Sequence, residues 1–111
     1  MTSNSLLKGN LQTIILKFLE DSGEMYGYEI TQRVKEMTDG AMVLTQGALY
    51  PTLHKLEADG FLETYTKTVN NRTRKYYRLT QTGKTETGNK MQEVQEFMNH
   101  LQSLLNLKPS L

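Results

Sequence analysis

Apolar residues recur along this chain in two rhythms, one close to the helical repeat and one closer to alternation, and the switch between them separates a helical first half from a short extended middle and a helical end. In NLQTIILKFLED, residues 10–21, Leu11, Ile14, Ile15, Phe18 and Leu19 step by three and four, which predicts a helix beginning near Ser5 and ending at Ser22-Gly23-Glu24. In MYGYEITQRVKEMTDG, Tyr26, Ile30, Val34 and Met37 keep the same spacing and Asp39-Gly40 supplies a stop, so a second helix spans 27–38. Tyr28 and Ile30 fall in or near the core, and Gly27 suits close helix packing. A short apolar piece, AMVL, then leads as a short strand into a third helical segment.

That third segment, LTQGALYPTLHKLEADGFLE, carries Gly47 and Pro51 near its start. In a helix interior these residues cost about 1 and about 3 kcal/mol relative to Ala, so both need a reason. If Thr45 or Gly47 opens the helix, Pro51 lies near the first turn, where a missing N–H matters least, although it can still kink the axis. Leu49, Leu53 and Leu56 form the inward stripe, and Asp59-Gly60 provides a glycine stop. Gln46, Tyr50 and His54 repeat every four residues on a different face. That face is the one to explain.

FLETYTKTV and RTRKYYRLT are β-branched and aromatic runs separated by Asn70-Asn71, residues that tolerate the left-handed conformations of tight turns, and they predict a two-stranded hairpin. Alternation sends one of Tyr76 and Tyr77 inward. Thr80 caps a last helix from Gln81 to Leu105, closed by Lys108-Pro109, whose positions Met91, Val94, Met98, Leu101 and Leu105 step by three and four. Phe97 and Leu104 widen that stripe beyond what one small domain has to cover, which implies a partner. The order is mainly α with a small β-hairpin, the plan of a winged helix-turn-helix followed by a C-terminal helix.

Composition narrows the chemistry. At 111 residues the chain is one compact unit, divided here into a winged domain at 1–82 and a C-terminal helix at 83–111. Without cysteine it has no disulfide, thiolate-zinc site or thiol nucleophile, which suits a reducing cytoplasm. His54 and His100 are isolated, so no metal site is expected, and no signal peptide or membrane-spanning run is visible. No nucleophile–base pair, phosphate-binding loop or dinucleotide fingerprint is visible, so neither catalysis nor a cofactor is expected. The net charge of +1 does not by itself favour a polyanion, but KTVNNRTRKYYR collects Lys67, Arg72, Arg74, Lys75 and Arg78 with no acidic residue among them.

Three motifs in order, MYGYEI at 25–30, LTQGALYPTLHKLEADGFL at 44–62 and RKYYRLTQTGK at 74–84, make the chain resemble the PadR-like family of bacterial transcriptional regulators from Leu11 to Gly83. Its single trailing helix is similar to the short-tailed branch, where that helix builds the dimer. The resemblance implies a homodimer that binds an inverted-repeat operator in double-stranded DNA, usually as a repressor, with one helix per subunit in the major groove. Thr45, Gln46, Tyr50 and His54 would then face DNA with Lys55 on the flank, and Gly47 would admit a phosphate close to the backbone. Arg72, Arg74 and Lys75 would contact phosphates from the wing. Tyr50 packed on the hairpin, His54 merely solvated and the wing merely a solvated charge run are the alternatives. The family packs its last helix on the first helix of the other subunit, which would put Leu11, Ile15, Met91, Val94, Phe97, Met98, Leu101, Leu104 and Leu105 in a dimer interface or a pocket for a small apolar effector. Some relatives hold flat aromatic drugs there against a tryptophan, and this chain has none. An interaction module that binds another protein through the same helix, with little use of DNA, is the competing class.

Overall fold

The computed structural model describes residues 4–108. Two helices, α1 (Asn4–Gly9) and α2 (Leu11–Ser22), stand where the periodicity predicted one. The break falls at Asn10, whose side-chain amide donates to the Leu6 carbonyl at 2.8 Å and whose N–H donates to the Leu7 carbonyl at 3.1 Å. A glycine followed by a residue that bonds its own preceding turn is a natural interruption. Gly23, at φ +83°, then closes α2 through an N–H bond to the Leu19 carbonyl.

The short strand lies at β1 (Met25–Tyr26), not at AMVL, where residues 41–44 are irregular. Two residues are too few for alternation to reveal them. Their pairing comes instead from β3 (Arg72–Leu79), with Met25 opposite Tyr77 and Tyr26 opposite Tyr76. β2 (Leu62–Val69) flanks the other side of β3 in register from Leu62 opposite Leu79 to Val69 opposite Arg72, giving a sheet in the order β1-β3-β2. Asn70 and Asn71 both take the left-handed conformation, φ 52° and 63°, as a two-residue hairpin turn requires.

Between β1 and the hairpin run α3 (Gly27–Met37) and α4 (Gln46–Ala58). Thr45 caps α4, its hydroxyl accepting the Ala48 N–H at 3.2 Å, and Leu49, Leu53 and Leu56 are fully buried against the neighbouring helices and sheet. Pro51 sits on the exposed side and α4 continues through it unbroken; the carbonyl that loses its i+4 partner is that of Gly47, also on the exposed side. Gly60, at φ +82°, ends the segment.

The last helix, α5 (Gln81–Leu105), begins under the Thr80 cap, whose hydroxyl accepts the Gly83 N–H at 3.0 Å. Its first turns are built into the domain: Thr80 donates from its N–H to the Phe61 carbonyl at 3.0 Å and from its hydroxyl to the Gly60 carbonyl at 2.6 Å, and a Cβ on Gly83 would overlap the Phe61 carbonyl oxygen. Beyond Thr87, which is buried and bonded to the Gly83 carbonyl at 2.8 Å, the helix continues alongside α1 and α2, with Met91, Val94 and Leu101 half-buried, and the molecule measures 52 Å in its longest dimension. It stops at Asn106 in the left-handed conformation, φ 54°. Pro109, expected to end it, lies outside the described residues, as do the outer ends of the 1–82 and 83–111 division.

Candidate nucleic-acid interface

The face of α4 opposite its leucines presents Gln46, Gly47, His54 and Lys55 to solvent, beside the exposed capping residue Thr45. Lys55 meets Asp59 on its own helix at 3.1 Å, an exposed pair that a stronger anion can displace. Gly47 is informative because nothing in the fold calls for it: a Cβ there would meet no atom within 4 Å, and its φ is not positive. The fold therefore places no demand for glycine at this exposed position, as at Gly88 of the last helix.

Tyr50 departs from the expectation of a fully exposed contact residue. It is half-buried and packed against the core, with its hydroxyl so near the start of α3 that a Cβ on Gly27 would lie 2.5 Å from it. The missing side chain of Gly27 is what lets the Tyr50 phenol in. Tyr28, by contrast, expected in or near the core, is 53% exposed, because α3 buries Gly27, Ile30 and Val34 instead.

The hairpin is less uniformly cationic than its sequence. Glu24, just before β1, takes Lys67 at 3.3 Å, and Glu63, opposite Arg78 in register, takes that guanidinium at 2.9 Å. A hydrogen bond from the Tyr65 phenol, joined by Lys67, holds the Glu24 carboxyl below its usual range, and the same contact pushes the phenol up. Arg72, Arg74 and Lys75 have no carboxylate partner among the described residues. These three form the cationic tip.

Both Tyr76 and Tyr77 are buried, against the expectation of one. Tyr77 points toward α4, as alternation requires. Tyr76, on the other sheet face, is covered by aromatic neighbours: Tyr26 meets it edge-on at 5.5 Å and Tyr65 stacks on it at 5.8 Å. Cations lie over this cluster, Arg74 at 4.4 Å from the Tyr26 ring and Arg78 at 4.8 Å from that of Tyr65. The cluster stiffens the wing and holds the Arg74 guanidinium at its edge. Tyr26, Tyr65, Glu24 and Glu63 were missed as contributors because their partners are distant in sequence; only the register, once known, brings them together.

At the far end, Phe97 is 60% exposed, and Met98, Leu104 and Leu105 are exposed beside it, with Leu6 of α1 nearby in the same groove as Phe97. Met91, Val94 and Leu101 are half-buried along the same helix. Leu11 and Ile15, expected in this seam, are not available to it: at 2% and 0% exposed they are core residues of their own domain, on a helix packed among α4, β3 and α5. The side of the groove facing α5 is lined instead by Leu6, Asn10 and Thr13. Among the described residues no cluster could hold a metal ion, and no helix is long and apolar enough to cross a membrane.

A helix with an exposed polar face, flanked by a β-wing with a cationic tip, is a winged helix-turn-helix of the kind found in transcriptional regulators. The model of the transcriptional regulator PadR-like family matches residues 15–89, and the chain belongs to that family, one of regulators rather than enzymes. It is 41% identical over 61 residues to transcriptional regulator Rv3488 of Mycobacterium tuberculosis, a match covering 55% of this chain and 54% of that protein. Among solved structures, a transcriptional regulator from Clostridium thermocellum superimposes with a TM-score of 0.82 at 28% identity, over 93% of this chain and 97% of the other. A PadR family transcription regulator from Clostridium difficile does so with a TM-score of 0.73 at 28% identity, over 86% and 97%.

Proposed function

We propose that this regulator is a homodimeric repressor that places α4 of each subunit in the major groove of an inverted-repeat operator and its wing against the neighbouring phosphates. The observation that carries the reading is the exposed polar face of α4, Gln46, Gly47, His54 and Lys55, standing beside a wing whose Arg72, Arg74 and Lys75 have no carboxylate partner among the described residues. In that arrangement Gly47 lets the helix backbone come close to a phosphate. Gln46 and His54 on the same face are the base-reading candidates, Thr45 and Lys55 flank them, and Arg72, Arg74 and Lys75 supply phosphate contacts without reading sequence. Such a regulator works in the cytoplasm, where the chromosome is.

The dimer reading rests on the apolar face of α5, which leaves Phe97, Met98, Leu104 and Leu105 exposed. Pairing of two such helices would bury it. The groove of about 520 Å³ that Val94, Phe97, Met98 and Leu101 share with Leu6 is the place for a small apolar effector. The same face also favours the rival reading, a module that binds another protein and uses DNA little. Selection of bound sequences from a random duplex library tests the proposal: recovery of an inverted repeat supports it, and recovery of unselected sequence favours the module.

A further inference from the structure

A crevice of about 210 Å³ separates α4 from the wing, lined by Tyr26 and Gly27 at the start of α3, Tyr50 of α4, and Arg74, Lys75 and Tyr77 of β3. Its composition is unusual for a cleft between packed elements. Three tyrosines and two cations meet at the opening turn of an 11-residue helix, whose first N–H groups have no partner within the helix itself. Glu29, the acid of that turn, folds back to accept the Tyr26 N–H at 3.0 Å.

Tyr77 is the second and independent sign of a ligand. Its side chain is only 1% exposed, yet its hydroxyl makes no hydrogen bond among the described residues, and no buried side-chain oxygen or nitrogen is left both enclosed and unpartnered. The hydroxyl is therefore not fully enclosed, and the crevice is lined by Tyr77. Burial, with Tyr50 and Glu57 nearby, pushes the phenol up, so it keeps its proton at neutral pH and acts as a donor. Glu57, whose charge acts on Tyr77, accepts a hydrogen bond from Thr64 at 3.3 Å. The Lys75 ammonium lies over the Tyr77 ring at 5.4 Å.

We propose that this crevice is a phosphate site, in which the Tyr77 hydroxyl, the Tyr50 hydroxyl, Lys75 and the first turn of α3 hold one backbone phosphate of the operator in each half-site. The inference rests on the DNA-binding reading above and adds a particular contact to it. A helix in the major groove and a wing toward the adjacent minor groove are separated by one phosphate strand, and the crevice lies between those two elements. Helix N-termini favour anions, and donors gathered in a partly enclosed cleft bind them more strongly than surface lysines do.

Tyr77→Phe removes the hydroxyl and leaves the ring. It is expected to melt like the parent, since no hydrogen bond is lost, and to bind every duplex about tenfold more weakly per half-site with unchanged salt slope, as expected for a neutral donor to a charged acceptor. Operators each carrying a single neutral methylphosphonate locate the contact. One position per half-site should weaken the parent, and there Tyr77→Phe should add little further loss. Full parental affinity of a folded Tyr77→Phe, or additive losses at every position, overturns the proposal while leaving sequence-selective binding intact. Failure of the parent to prefer any duplex would sink the DNA-binding reading together with it. Inorganic phosphate that saturates the Gly27 and Tyr28 amide resonances below millimolar concentration, with no methylphosphonate-sensitive position, identifies a free-anion site and also overturns it. Should Tyr77→Phe melt early, Lys75→Gln carries the same test at the same phosphate.

Discussion

Gly83→Ala is a small change that should have a large effect. The Cβ it introduces falls on the carbonyl oxygen of Phe61, a backbone atom held in place by the Thr80 N–H at 3.0 Å, so no side chain can swing away to make room. Relief requires lifting the first turn of α5. That motion breaks the Thr80 bonds to Phe61 and Gly60 and disturbs the Thr80 cap on the Gly83 N–H. At about 1 kcal/mol for each hydrogen bond and about 1 for the cap, the loss is about 3 kcal/mol, offset by about 1 for replacing a helical glycine with alanine. The net of about 2 kcal/mol corresponds to a fall in Tm of about 8 °C or more for a domain of this size. Gly88→Ala is the matched control on the same helix: a Cβ there meets nothing within 4 Å, so the propensity gain stands alone and the variant should be more stable by about 0.5–1 kcal/mol. Thermal unfolding followed by circular dichroism separates the two. If Gly83→Ala melts at or above the temperature of Gly88→Ala, the joint between α5 and the Gly60–Phe61 turn is not the rigid contact described.

The other expectations concern binding. Gln46→Ala, on the exposed face of α4, should leave melting unchanged, relax preference at one base position per half-site and cost about 1–3 kcal/mol per half-site contact on the best operator, as read by equilibrium titration; early melting would mean that the residue belongs to the fold. Changing Arg74 and Lys75 together to Ala should weaken selected and random duplexes alike and flatten the salt slope by about one or two units per subunit, and an unchanged slope would remove them from the phosphate contacts. Phe97→Glu, at a 60% exposed position of α5, should yield folded monomers that lose operator affinity; sedimentation of the parent protein as a monomer would discredit the seam.

Much of this architecture could be read in the sequence because the signals were local. Periodicity in α2, α3 and α4, the Thr45 and Thr80 caps, the Asn70-Asn71 turn and the glycine stop at Gly60 each lie within a few residues of what they determine. What escaped was fixed by contacts across the chain. The two-residue β1 exists only because β3 pairs with it, and the neutralisation of Lys67 by Glu24 spans 43 positions of sequence. Periodicity shows that the α2 stripe is helical but not which neighbour it meets, so Leu11 and Ile15, expected against a partner, belong to their own core. Tyr50 has the spacing of a surface residue, and its depth is set by the absent side chain of Gly27 on another helix.

The central claim is that α4 reads a specific duplex while the wing anchors it through phosphates. It is tested most directly by the ratio of affinities for the selected inverted repeat and for a scrambled duplex of equal length and composition, measured by equilibrium titration near physiological salt. The account predicts a ratio of about a thousand or more, with two chains on each operator. A ratio near one, with affinity governed only by salt, would contradict it.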